Sequence, residues 1–185
     1  MGHCICSNSI AVYKQVSSIL HDNRTTNLQQ RNVTMTNSLK QASIDGWIAN
    51  HRKQYQADPA AGHMWDAKRP NSTGPVPTLL LTTRGRRTGE ESIMPLIYGR
   101  TGNDYVVIAS KGGAPRHPGW YHNLMAQDEV TVQVIHDIFQ ARTRVAKDQE
   151  RAAIWTTMVD IYPPYADYQE KTKREIPVVI LEKIS

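Results

Sequence analysis

Apolar residues fall into short bursts along the second half of the chain, whereas the first half shows no such rhythm. "PTLLLTT" (77–83), "ESIMPLIYG" (91–99), "DYVVIAS" (104–110), "VTVQVI" (130–135), "FQARTRVA" (139–146) and "EIPVVILEKI" (175–184) are apolar or alternating runs bounded by turn-forming residues. Runs of this length and period predict strands. "RTGND", between the second and third, predicts a hairpin turn. Two other segments change the period. "HPGWYHNLMAQ" predicts a short helix opened by Pro118. "KDQERAAIWTTMVDIY" predicts a longer one capped by Asp148, with Arg151 standing where Glu or Gln would complete a capping box. Upstream, Leu39, Ile44, Trp47, Ile48 and Tyr55 recur at helical spacing, with Asn37 or Ser38 as the cap. "ADPAAGHMWDAKRPNSTGPVP" is punctuated by proline and glycine and predicts a long connection.

Five or six short strands with two inserted helices predict a small, mostly antiparallel barrel, mostly β with helices (α+β). Residues 1–37 are rich in Asn, Ser, Thr and Gln without a sustained period and predict a disordered or poorly ordered extension; Met35 is an alternative start. The expected organisation is one domain over 38–185, with helix and linker over 38–77 and the barrel over 78–185.

Composition narrows the class of protein. No apolar run in the 185 residues approaches the ~20 needed to span a bilayer. The N-terminus lacks the apolar centre of a signal peptide, and Cys6 stands where a myristoylation signal wants Ser or Thr. Cys4 and Cys6, one residue apart, read as free thiols in a reducing cytosol. A cytoplasmic protein is expected, with room for peripheral contact at the inner face of a membrane. The net charge of +5 favours an anionic partner: nucleic acid, membrane surface or a phosphorylated small molecule.

Three stretches carry candidate chemistry. "LLLTTRGRRTGEES" (79–92) crowds Arg84, Arg86 and Arg87 among glycines between two predicted strands. It is no P-loop, because no helix follows and the lysine of that motif is absent. Its amides can form an anion nest and its guanidinium forks suit phosphate or carboxylate; the plainer alternative is a solvated hairpin tip. "ASKGGAPRHPGWYHN" (109–123) sets Ser110, Lys111 and a Gly-Gly pair at a strand end, then opens a helix with Trp120 and Tyr121. A flat aromatic, a favourable helix dipole and two basic loops suit a planar ring with an acidic tail. Equally, Trp120 is a core residue and Lys111 a surface one. "MVDIYPPYADYQEKT" repeats tyrosine at 162, 165 and 168 around a Pro-Pro step. Such side chains line a pocket over a planar substrate, or pack a helix-to-turn junction. His117 and His122 have no third ligand at metal spacing, and no nucleophile motif is present, so neither a metal site nor covalent hydrolysis is expected.

The motifs "LTTRGRRTGEESIMPLIYG", "VIASKGGAPRHPGWYHNLMAQDEVTVQV" and "IYPPYADYQEKTKREIPVVILE" resemble successive blocks of the deazaflavin-dependent nitroreductase family, from about residue 78 to the C-terminus. The resemblance implies a split β-barrel of the flavin-reductase, FMN-binding type preceded by a helix, and an enzyme using reduced coenzyme F420. By the same resemblance, Arg86, Arg87, Thr88 and Lys111 would hold the phosphate and oligoglutamate tail. Pro95, Ala109, Ser110, Trp120, Tyr121 and Asn123 would shape the ring site. Tyr165 would be the catalytic group at the substrate face, with Tyr162 and Tyr168 lining it. The expected acceptor is a small planar electrophile, a quinone or nitro-aromatic. Ser92 and Ile97 depart from the family's frequent arginine and tyrosine, with Arg84 adding a charge near the first. Alternatives are a flavin mononucleotide- or haem-binding barrel with the same fold, and a basic nucleic-acid-binding barrel. Against the last, the basic residues sit in two short loops and not along a groove-tracking stripe.

Overall fold

The computed structural model describes residues 46–68 and 71–184, together with Gln30. The expectations for the 1–37 extension, for Met35 and the cysteines, and for a helix cap at Asn37 or Ser38 lie outside the described residues. The chain divides into two units, 1–47 and 48–185. Residues 46–57 are helical (α1). In the second unit there follow α2 (Pro59–His63), β1 (Met64–Trp65), β2 (Val76–Arg84), β3 (Glu91–Thr101) and β4 (Asp104–Ile108). A 3-10 turn at Lys111–Gly113 and α3 (Gly119–Leu124) lead to β5 (Glu129–Val134) and β6 (Asp137–Val145). Then come α4 (Asp148–Ile161), α5 (Pro164–Glu170) and β7 (Val178–Ile184).

Each expected strand is present, and their pairing closes a ring. The sheet runs β1-β2-β3-β4-β7-β6-β5, and β2 also pairs with β5, so six antiparallel strands form a barrel with β1 as a short outlier. Strand β3 changes partner along its length, pairing with β2 over Glu91–Ile97 and with β4 over Tyr98–Thr101. Pro95 falls in the first part, which has one strand neighbour, where a missing N–H costs the ladder least.

The period-two alternation sorts the side chains into two cores. Leu79, Leu81, Val107, Val132, Val179 and Leu181 point into the barrel with Trp120 and Leu124 of α3. Their sequence neighbours Val106, Ile108, Val178 and Ile180 face outward and are covered by Ile154 and Met158 of α4 and by the tyrosines of α5. Helix α4 approaches closely: a Cβ at Gly99 of β3 would fall 2.6 Å from Met158 Sδ. Arg144 of β6 ties these layers at the surface, pairing with Glu182 of β7 at 2.5 Å and with Glu150 of α4 at 2.6 Å.

Three local features differ from expectation, the first being α5, a helix where the tyrosine-rich stretch after the Pro-Pro step reads as a turn. The 58–77 connection contains α2 and β1. Asp58, whose side chain accepts from the Ala61 N–H at 3.1 Å, caps α2 directly ahead of Pro59, so the proline that looked like a breaker is a helix starter. At the other helix, Lys147 occupies the cap and Asp148 begins the first turn at φ +49°. Arg151 turns to Glu175 at 3.4 Å and to the Ile176 carbonyl at 3.2 Å. Among the described residues, no helix is long and apolar enough to cross a membrane.

Tyr55, fully buried, fastens α1 to the barrel. Its hydroxyl donates to the Thr78 carbonyl at 3.1 Å and accepts from the Ile135 N–H at 2.9 Å. Ile135 sits at φ +54° in the β5–β6 turn, an unfavourable place for a β-branched residue, so that turn relies on the tyrosine. His63 also donates to the Thr78 carbonyl, leaving Ile135 as the group orphaned by a Tyr55→Phe change. That substitution is expected to destabilise the fold by about 1–3 kcal/mol, the cost of a buried donor without a partner. Urea denaturation checks it; an unchanged midpoint would mean water replaces the hydroxyl.

Candidate functional site

The basic stretch is the β2–β3 turn, strand to strand as expected. Gly85 and Glu90 close it, with the Gly85 N–H donating to the Glu90 carbonyl at 2.7 Å, and Gly89 takes φ +73°. Helix α3 holds it from outside. The Arg84 N–H donates to Gln127 Oε1 at 3.0 Å, and Gln127 Nε2 donates to the Arg84 carbonyl at 3.2 Å and to the Asn123 carbonyl at 2.8 Å. Asn123 Oδ1 accepts from both the Arg86 N–H, at 3.3 Å, and its Nη1, at 3.1 Å. Asn123, expected at a ring site, is thus engaged in orienting Arg86. Thr88 Oγ1 accepts from the Glu90 N–H within the turn. Pro95 is buried in β3.

Trp120 is 5% exposed and belongs to the barrel core. Tyr121 is half-buried against that core, its ring 4.9 Å from that of His117. A helix of Gly119–Leu124 is short, so its dipole contributes little, and side chains must supply the charge.

The lysine loop leaves β4 through buried Ala109 and half-buried Ser110. Lys111, Gly112 and Gly113 all take positive φ, at +49°, +64° and +80°. Gly113 could carry no side chain, because its Cβ would lie 2.6 Å from the Tyr168 carbonyl oxygen of α5. On α5 and the turn before it, Tyr162 and Tyr165 pack ring to ring at 5.0 Å, and the Tyr162 and Tyr168 hydroxyls lie 3.4 Å apart. Tyr165 is 4% exposed. Burial, then the neighbouring Tyr162 and Tyr168, pushes its phenol well above the ordinary tyrosine range. It therefore keeps its proton and can donate a hydrogen bond, but is a poorer acid than a free tyrosine. Ile97, one of the two departures, lies in the same cluster as Tyr162 and Tyr165; Ser92 lies opposite Thr83 on β2.

Arg174, Gln127, Gln169 and His117 acquire roles that the sequence reading missed. Arg174 stands in the charged run "EKTKRE", and its guanidinium donates into the lysine loop and to His117 Nδ1 at 3.1 Å. Because arginine only donates, Nδ1 accepts and the His117 proton resides on Nε2. Among the described residues no group of three or more His, Cys, Asp or Glu side chains is placed to hold a metal ion.

Charge completes the site. Among the described residues, the ion pairs join Arg142, Arg144, Arg151 and Lys183 to carboxylates, and none involves Arg84, Arg86, Arg87 or Lys111. Four cations on two loops docked by α3 and α5, without carboxylate partners, suit a ligand bearing several negative charges. A phosphodiester with an oligoglutamate tail fits that donor set.

A closed six-stranded barrel with this cationic rim and adjoining tyrosines is suited to binding an anionic small molecule. The chain matches the model of the F420H(2)-dependent quinone reductase family over residues 51–183 and belongs to that family. Among curated relatives, the F420H(2)-dependent quinone reductase Rv1261c of Mycobacterium tuberculosis is 39% identical over 113 residues, 60% of this chain and 76% of the relative. Of solved structures, the F420-H2 dependent reductase FDR-A is 40% identical, with a TM-score of 0.53 over 57% of this chain and 93% of its own. A structure described as a domain-swapped dimer is 36% identical, with a TM-score of 0.56 over 72% of this chain and 94% of its own. The family match begins within α1, well before the residue near 78 where the motifs become recognisable. It points to F420 and lends nothing to the flavin mononucleotide alternative.

Acidification should loosen the fold before carboxylates titrate. Burial holds His51 below the ordinary histidine range, against the opposing pull of its bond to the Gly62 carbonyl. Burial, with Arg174 and His122 adding to it, does the same for His117. Both imidazoles are neutral when folded, so the unfolded chain binds more protons and stability falls as pH drops below about 6.5. Urea midpoints at pH 7.5 and 5.5 are expected to show that fall, and His117→Asn, which still offers Arg174 an acceptor, should reduce it. An identical fall in the variant would assign the effect elsewhere.

Proposed function

We propose that this protein reduces a planar acceptor, a quinone or nitro-aromatic, with hydride from reduced coenzyme F420. The observation that supports it best is the pair of loops carrying unpaired cations, one docked on α3 and one on α5. When bound, the reduced deazaflavin supplies two electrons as a hydride. Arg86, Arg87, Thr88 and Lys111 would hold the phosphate and glutamates, with Asn123 orienting Arg86. Ser110 and Tyr121, both partly exposed, would wall the ring, with buried Pro95, Ala109 and Trp120 supporting that wall from behind. Half-buried Tyr168, backed by the buried Tyr162 and Tyr165, would offer the apolar shelf on which a flat acceptor is held face to face with the ring; this is catalysis by positioning. The reduced acceptor carries a negative charge until it gains a proton. Tyr165 steadies that oxygen by donating a hydrogen bond through its hydroxyl, and solvent delivers the proton. Ile97 in the tyrosine cluster makes the acceptor preference this chain's own. A peripheral site at the inner membrane face, within reach of an apolar quinone, is compatible with the basic surface.

Two measurements test the assignment. Arg87→Ala combined with Lys111→Ala is expected to weaken F420 by about 1–3 kcal/mol, the modest end for charge-assisted contacts because both residues are exposed. Binding to the wild type should weaken with salt, and the double variant should lose most of that dependence. A deazaflavin fragment lacking phosphate and glutamates should bind both proteins alike; equal losses for both ligands would mean the two residues support the fold. Separately, Tyr165→Phe is expected to lower turnover of a quinone more than it changes F420 affinity. The reverse order of effects would move Tyr165 off the acceptor face.

A further inference from the structure

Arg174 makes more directed contacts to the lysine loop than any residue of that loop makes to itself. Nε donates to the Ala114 carbonyl at 2.9 Å, and Nη2 to the carbonyls of Ser110 at 2.7 Å and Ala109 at 3.2 Å. Nη1 reaches His117 Nδ1 at 3.1 Å. One guanidinium therefore gathers four acceptors from segment 109–117. That segment needs holding. Lys111 is a non-glycine residue at φ +49°, followed by two glycines at positive φ. Its own bonds are the single turn of Gly113 N–H to the Ser110 carbonyl, at 3.1 Å, and Ala114 N–H to the Lys111 carbonyl, at 3.2 Å. A lone 3-10 turn does not sustain itself.

The arginine is itself fixed from α5. Gln169 Nε2 donates to the Arg174 carbonyl at 2.8 Å, while its Oε1 accepts from the Ile176 N–H at 2.9 Å. Gln169 directly follows Tyr168, whose carbonyl abuts Gly113. The same short helix thus carries the tyrosine shelf and anchors the clasp on the lysine loop. A trans peptide points its N–H opposite to the preceding carbonyl, so drawing the Ser110 carbonyl toward Arg174 turns the Lys111 N–H to the other side.

We propose that Arg174 is a positioning residue for the cofactor: without touching it, the guanidinium holds segment 109–117 in the shape in which Ser110 and Lys111 meet the anionic ligand. This rests on the reading that F420 binds along that segment. A planar five-donor fork can serve four acceptors at once; a lysine ammonium has three donors and no fork. Charge at position 174 is thus not the point, and the conservative variant separates the two roles.

The test uses the full-length protein and Arg174→Lys, with F420 titrated by its fluorescence at low and high salt. The variant is expected to stay folded and to bind F420 about tenfold or more weakly, the loss of charged hydrogen bonds expressed as affinity. Because the charge is kept, the loss should be the same at both salt concentrations. The KM for reduced F420 should rise while kcat at saturation stays near wild type. In the apoprotein, nitrogen–proton NMR should find the His117 proton on Nε2 in the wild type and distributed over both nitrogens in the variant. Wild-type F420 affinity in Arg174→Lys, with the His117 signal changed, overturns the positioning role and leaves the cofactor reading standing. A wild type that shows the His117 signature yet binds no F420 overturns the cofactor reading, and the positioning role with it. Should Arg174→Lys fail to fold, Gln169→Leu loosens the same clasp with the guanidinium retained; it must show the same salt-independent loss, and unchanged affinity there overturns the proposal.

Discussion

The antiparallel pairing of β2 with β5 at Leu80–Thr82 is the constraint on which the rest of the structure depends. An open sheet of these strands would expose two edges and leave one apolar face wet. Closing it gives Leu79, Leu81 and Val132 a dry interior and fixes β2 between two partners. A strand held on both sides cannot slip its register without turning its buried set outward. The basic turn at its C-terminal end is consequently a rigid platform. The outward-facing residues of β4 and β7 then form a second apolar surface, which α4 and α5 cover.

From that closure follows the division of labour around the site. The barrel end offers two loops with cations that no carboxylate among the described residues neutralises, and polar side chains from α3, α5 and the segments just after them hold each loop from outside. Asn123 and Gln127 secure the arginine turn. Gln169 and Arg174 secure the lysine loop. Like charges brought close repel, so the arrangement costs stability that packing elsewhere must offset. Proteins retain such costs where a ligand neutralises the charge. The tyrosines illustrate the complementary case: packed among Ile97 and Trp155, they bring phenols into an apolar setting that suppresses ionisation and suits hydrogen-bond donation.

Much of this was written in local pattern. Strand positions came from runs such as "DYVVI" and "VTVQV", since alternation is a property of neighbouring residues, and the Gly102-Asn103 turn follows from its glycine. The cationic turn, the Gly-Gly loop and the tyrosine triplet were visible because each is contiguous in sequence. What escaped was either ambiguous locally or remote. Asp58-Pro59 could signal a break or a helix start, and the cap expected at Asp148 falls at Lys147, whose backbone is the extended one.

Sequence alone determined six of the strands, the two helices inserted among them, the clustered basic and aromatic residues, and the family to which they belong. Tertiary structure decided which residues act on which. Arg174 lies over fifty residues from His117, and Gln127 over forty from Arg84, so neither contact leaves a periodic trace in the chain. Trp120 could face a ligand or the core, and only the position of α3 over the barrel sent it inward. Local patterns report the preferences of a residue and its neighbours; a guanidinium gathering carbonyls, or a phenol losing its water, depends on groups that only the closed barrel brings together.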